Sequence, residues 1–293
     1  MRVHVKPGLG HIPLSRLSPP MIQRYLSQKL REDGLSTTSL RYHYSILHES
    51  LGHAVRWSLL MRNPCDAIEP PRRRQTEMRV LDEEQVRLFL AEAKRSSRLY
   101  CLYLTATLTG MRLGELLGLR WKDLDLTLGV ISVQQTLYRL KKRVLLKEPK
   151  SAKARRTISL APLLIQELNR HREAQVQQRK RLGEKYVDND LVFCQRNGEP
   201  LHGHNITQGN LRRVLKKAGL PRIRFHDLRH CHATHMLRQG ENPKVVQERL
   251  GHSTPAFTLA VYSHVLPGMQ NEAARRLEER LLGRVPDSEN SRE

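Results

Sequence analysis

The sequence predicts a mainly α-helical (α+β) protein: a small helical module, then a mostly helical domain with a small antiparallel sheet. Three observations predict it. Apolar residues recur every three or four positions over most of the chain. Between about residues 130 and 160 that period gives way to strand-like, β-branched stretches. Finally, the segment 69–76 (EPPRRRQT) is proline- and arginine-rich with no apolar residue, which reads as a linker.

The elements follow in order. Residues 1–17 read as irregular, with Pro7, Gly8, Gly10 and Pro13 against regular structure. Ser18-Pro19-Pro20 opens a helix with a hydroxyl N-cap and proline in the first turn, carrying Ile22, Tyr25, Leu26 and Leu30. Ser36 caps the next helix, whose apolar positions are Leu40, Tyr44, Leu47, Leu51 and Val55, and which Asn63-Pro64 ends. Asp82 to Gln85 is a capping-box signature for a helix turning Val86, Phe89, Leu90 and Ala93 inward. An apolar helix runs from about Leu99 to Leu108, then a glycine turn and a short helix through Leu117. Strands are expected at Val130–Val133, Arg143–Lys147 and Arg156–Leu160. Pro162 opens a long polar helix ending at Gly183, and a short strand at Leu191–Phe193 precedes the Asn197-Gly198 turn. From Ile206 the pattern is helical to about Leu282, with a polar tail and no internal repeat.

Charge bounds the partners. The 51 Lys and Arg against 29 Asp and Glu leave a net charge of +22, and the pI is near 10.4. A polyanion is the natural complement, with affinity falling as salt rises. Residues 1–76 alone hold 12 basic and five acidic side chains, a net +7. Cys65, Cys101, Cys194 and Cys231 form no CxxC pair, which fits a reduced compartment. No apolar run suits a signal peptide or membrane span, so a cytoplasmic protein is expected.

Five residues stand out as chemistry. Arg112 follows a glycine turn in TGMRLGEL; His226 and Arg229 share a helical face in FHDLRH; His252 follows a helix-ending glycine in LGHS; Tyr262 lies in TLAVYSHV. Arginine presents a planar, permanently charged fork to phosphate oxygens. Histidine donates to a further oxygen or shuttles a proton near neutrality. Tyrosine, with a free pKa near 10, becomes a nucleophile only where cations favour its phenolate. Together they suit attack on a phosphodiester, with preorganised donors stabilising charge at phosphorus.

TGMRLGELLGLRW, FHDLRH, LGHS and TLAVYSHV, in that order, closely resemble the tyrosine recombinase (phage-integrase) family. The resemblance covers about residues 77–283 and, more loosely, residues 12–71, and implies a core-binding domain at 1–71, a linker at 72–76, a catalytic domain at 77–285 and a tail at 286–293. It implies a site-specific recombinase in which Arg112 and Arg229 clamp the scissile phosphate, partnered by His226 and His252. It implies a 3′-phosphotyrosine link through Tyr262, a 5′-hydroxyl leaving group, and Lys150 as the proton donor on a β-hairpin, with Lys153 as the alternative. Glu115 resembles the family's acidic residue supporting the site. Neither ATP nor metal is implied; the partners are duplex DNA, a homotetramer on paired sites through C-terminal helix exchange (Gly268 to Leu282), and a DNA-bending accessory protein. Family members usually carry more chain before the first module, so the core-binding domain is expected to be N-terminally incomplete.

Alternatives accompany these expectations. Each residue alone reads as surface or core; the ordered set favours chemistry. His226, His230, His232 and His235 with Cys231 have zinc-like spacing, but no HExxH glutamate is present and Arg229 would repel a dication. A regulator that keeps the fold without the chemistry, and a type IB topoisomerase, are the rival functions. The intact residue set opposes the first, and the helical module and C-terminal helix oppose the second.

Overall fold

The computed structural model describes residues 2–72, 79–140, 143–147, 155–252, 254–256 and 269–282. Two compact units divide near residue 77.

The first unit packs α1 (Val5–Leu9), α2 (Pro19–Arg31) and α3 (Thr37–Arg56) around Ile22, Leu26, Leu40, Leu47 and Leu51. The opening segment is thus not wholly irregular. Pro7 lies in the first turn of α1, where its missing N–H has no partner to lose, and Val5 and Leu9, one turn apart, are both buried. Gly8 is required by close approach, since a Cβ there would sit 2.6 Å from the Tyr25 ring. Ser18 precedes α2 without capping it, whereas Ser36 Oγ accepts the Ser39 N–H at 3.2 Å. α3 stops at Arg56, short of Asn63-Pro64. Ser58 there has φ +58°, and Asn63 instead caps a 3-10 turn at Pro64–Ala67. Of the linker expected at 72–76, residues 73–76 lie outside the described residues.

The second unit begins with α4 (Glu83–Ser96), whose Asp82–Gln85 capping box forms as expected. Then come α5 (Tyr100–Thr109) and α6 (Leu113–Leu117). Strands β1 (Leu124–Asp125), β2 (Val130–Val133) and β5 (Arg156–Ser159) make an antiparallel sheet in the order β1-β2-β5. Between β2 and β5, β3 (Thr136–Leu140) and β4 (Arg143–Lys147) form a separate hairpin in which Leu140 pairs with Arg143. The sequence pattern missed β3. The expected strand at Leu191–Phe193 is corrected: the only pairings there are isolated bridges, Arg120 with Leu191 and Cys194 with Pro200.

The helices α7 (Pro162–Leu182), α8 (Leu211–Lys217), α9 (Phe225–Arg238), α10 (Pro243–Leu250) and α11 (Met269–Leu282) complete the order, with a π-turn at Asn205–Asn210 before α8. α5 is buried nearly all round, and its Leu102 and Tyr103 share one core with Phe89, Ile131, Ile158 and Leu228. α10 is anchored to α9 by Leu237, Val246 and Leu250, each worth about 1.5–3 kcal/mol when buried. Among the described residues no helix is long and apolar enough to cross a membrane.

Candidate active site

α5 ends at Gly110, whose φ of +64° places it in the left-handed region. A side chain there would meet Leu250 Cδ2 at 2.6 Å and His232 Cδ2 at 2.7 Å, so only glycine fits. The tight turn delivers Arg112 as the N-cap of α6. Glu115, in the first turn, accepts the Arg112 backbone N–H at 2.9 Å and the Arg112 Nη1 at 2.9 Å. Arg112 itself stays about two-fifths exposed.

Glu115 is buried and holds a second cation. Arg156 Nη1 and Nη2 donate to its two carboxylate oxygens at 3.1 and 2.8 Å. Burial alone would raise the Glu115 pKa. The hydrogen bonds and charge of Arg156, then those of Arg112, outweigh it and bring it down to about 2.

α9 presents the next group. Asp227 accepts the Arg224 backbone N–H at 2.7 Å, closing the first turn. Arg229, 2% exposed, points inward and donates from Nη1 to Gly110 O at 2.7 Å and from Nη2 to Leu250 O at 2.6 Å.

The C-terminal end of α10 gathers the arginines. Carbonyls there have no partner within the helix and carry the negative end of its dipole. Arg156 Nε takes Arg249 O at 2.7 Å, Arg229 takes Leu250 O, and Arg112 Nη2 reaches Gly251 O at 3.5 Å. Gly251, at φ +66°, ends the helix, and His252 follows directly. Gln247 Nε2 donates to the His252 carbonyl, holding that residue in place.

The histidines around these cations are held neutral. His252 is buried; desolvation, then the charges of Arg229 and Arg112, lower its pKa to about 3. His226 is lowered by desolvation and by the same two arginines, although its ring reaches solvent. Its ring meets that of His230 edge-on at 4.8 Å, and His230 is lowered to about 4, again by desolvation first and His226 second. Fixed guanidiniums beside neutral imidazoles make a receptor for a phosphate-like anion with a proton acceptor at hand.

Arg112, His226, Arg229 and His252, singled out in the sequence, are therefore brought together. Tyr262, Lys150 and Lys153 lie outside the described residues. The zinc-like histidine spacing is spent on other contacts: His232 Nδ1 meets Thr107 O at 3.0 Å, His235 Nε2 meets Leu81 O at 2.9 Å, and Cys231 Sγ accepts the Leu81 N–H. Among the described residues no group of three or more His, Cys, Asp or Glu could hold a metal. The sequence pattern places Arg156 only at the start of an expected strand and singles out neither it nor Arg249. Arg156 sits two residues from buried Ile158, on the inward side of β5, and that phase was the available signal.

The chain as a whole is similar to known proteins. The model of the phage integrase family matches residues 79–268. The chain is 30% identical to a XerC-like tyrosine recombinase of Caldanaerobacter subterraneus over 90% of this chain and 71% of that protein. It is 32% identical to the ICEBs1 integrase of Bacillus subtilis over 86% of this chain and 68% of that one. Among solved structures it is similar to the Tn1549 transposon integrase bound to transposon right-end DNA. The TM-score is 0.79 at 24% identity, covering 96% of this chain and 90% of that one.

Proposed function

This chain belongs to the phage integrase family, and from that premise we propose that Arg112 and Arg229 clamp the scissile phosphate of duplex DNA while Tyr262 attacks it. The enzyme is a tyrosine recombinase that cuts and rejoins DNA at specific sites, and double-stranded DNA is its partner. Two arginines from α9 and the α5–α6 turn, both lowering the pKa of His226 and of His252, support the assignment of the phosphate clamp.

Tyr262 Oη forms a bond to phosphorus as the bond to the 5′-oxygen breaks, leaving a 3′-phosphotyrosine. Neutral His226, partly open to solvent, takes the phenolic proton, and His252 donates to a non-bridging oxygen. Lys150, with Lys153 as the alternative, protonates the departing 5′-oxygen. Bond energy is kept in the phosphotyrosine, so a 5′-hydroxyl of the partner strand rejoins the DNA by the reverse step. Strand exchange on paired sites calls for a homotetramer. Leu277, Leu281 and Leu282 of α11 are exposed, which suits a helix that docks on a neighbouring protomer.

A nicked suicide duplex carrying the cognate site tests the chemistry. Wild type should accumulate a covalent DNA adduct that Tyr262→Phe abolishes; an adduct surviving that change removes Tyr262 as nucleophile. A 5′-thiolate leaving group should rescue Lys150→Ala, and rescue of Lys153→Ala instead would transfer the proton-donor role.

A further inference from the structure

His232 and Arg249 hydrogen-bond to carbonyls other than the two that hold Arg229. His232, on α9 one turn beyond Arg229, is buried. Its Nδ1 stands 3.0 Å from Thr107 O. A carbonyl oxygen only accepts, so Nδ1 carries the hydrogen and Nε2 keeps its lone pair. Arg249 Nε lies 3.4 Å from that lone pair and donates towards it. Arg249 Nη2 continues to Leu108 O at 3.0 Å. The two side chains thus cap successive carbonyls at the end of α5, immediately before the Thr109-Gly110-Met111 turn that delivers Arg112. Arg249 does so from α10, one residue before the carbonyl that holds Arg229 and three before His252.

We propose that His232 and Arg249 are positioning residues for DNA cleavage: a neutral, single-tautomer imidazole and a guanidinium that lock the end of α5 to the end of α10 and so set the spacing of Arg112, Arg229 and His252 about the scissile phosphate. The spacing cannot be set by the backbone alone. Gly110 has no side chain to brace it, and the His232 ring occupies the space where its Cβ would be. Burial, then the charge of Arg249, presses the His232 pKa down to about 3, so the acceptor that Arg249 needs persists at neutral pH. Their hydrogen bonds go to α5 carbonyls and to each other, so both act through the clamp.

The inference rests on the proposed phosphate clamp, and the test separates the two. Single-turnover cleavage of the nicked duplex is measured at saturating DNA for wild type, His232→Asn, His232→Gln and Arg249→Lys. Each is compared on a phosphodiester and on a methylphosphonate at the scissile position, which has lost the charge the arginines neutralise. Asn keeps a donor for Thr107 O and Gln keeps an acceptor for Arg249, so at least one should fold. A displaced clamp predicts cleavage about 10- to 100-fold slower on the phosphodiester. DNA affinity should stay within about twofold, since distant phosphate contacts dominate it. The deficit relative to wild type should shrink on the methylphosphonate. Equal deficits on both substrates would mean a merely structural role, and unchanged cleavage in all folded variants would overturn the proposal. Failure of wild type to form any adduct would instead overturn the phosphate clamp, and this inference with it.

Discussion

Arg229 donates to the carbonyl of Leu250 at 2.6 Å, from a side chain that is 2% exposed. A buried guanidinium aimed at a helix end is oriented before any substrate arrives. Arg229→Lys keeps the charge but cannot serve Gly110 O and Leu250 O in one plane. Leaving one of those buried carbonyls unsatisfied should cost about 1–3 kcal/mol. A lower urea midpoint together with a large loss of adduct is expected, and an unchanged midpoint would show that the two carbonyls do not depend on Arg229.

Gly110→Ala should be severe because a Cβ at φ +64° would meet Leu250 and His232 at 2.6 and 2.7 Å. Gly219, at φ +69° with nothing within 4 Å, isolates the backbone cost, roughly 1 kcal/mol. Thermal melts of both variants should show a larger drop for Gly110→Ala, accompanied by loss of cleavage. Equal drops would mean the turn tolerates the methyl group.

Glu115 gives the fold an acid limit. Its folded pKa, about 2, lies below its ordinary 4.5, so its contribution is complete above pH 4.5 and fades as pH falls towards 2. For so buried a group that contribution is on the order of 3 kcal/mol at neutral pH. Denaturant midpoints measured from pH 5 to pH 2 should fall more steeply for wild type than for Glu115→Gln, and the gap between the two should close as pH approaches 2.

Three histidines act in a higher window. His230, His232 and His252 are lowered to about 4, 3 and 3 from 6.5, so the unfolded chain binds protons that the fold refuses. Stability should therefore be full above pH 6.5 and decline as pH drops towards these values. Histidine NMR signals should report neutral His232 and His252 at pH 5. Titration of either near 6.5 would contradict the buried arrangement. Binding of the duplex should raise the His252 value, because a phosphate anion offsets Arg229 and Arg112.

Much of the fold was legible because its signals are local. Asp82 and Gln85 sit three residues apart, the distance a capping box needs, and the box forms. Gly183 ends α7 where the polar helix was expected to stop. Local signals also misled. Pro7 and Gly8 read as irregular yet sit in a short helix, because Val5 and Leu9 find a core to enter. Leu191–Phe193 looked like a strand and is a buried passage with single bridges, because burial on both sides selects apolar residues whether or not a ladder forms. Of the candidate site, Arg112, His226, Arg229 and His252 were readable as residue types in order. Arg156 was not, since nothing in Arg-Thr-Ile-Ser states that its partner is Glu115.

The sequence by itself determined the residue types available to this protein: two arginines, two histidines and a tyrosine in a family-like order, with the caps and glycines of several helices written nearby. Only the tertiary structure decided how the arginines are held. The end of α10 offers carbonyls at Arg249, Leu250 and Gly251, and Arg156, Arg229 and Arg112 arrive there from β5, α9 and the α5–α6 turn. Periodicity reports which face of an element is buried, but not which distant helix end will need its hydrogen bonds satisfied. That need, created by folding, is what orients the guanidiniums of Arg156, Arg229 and Arg112.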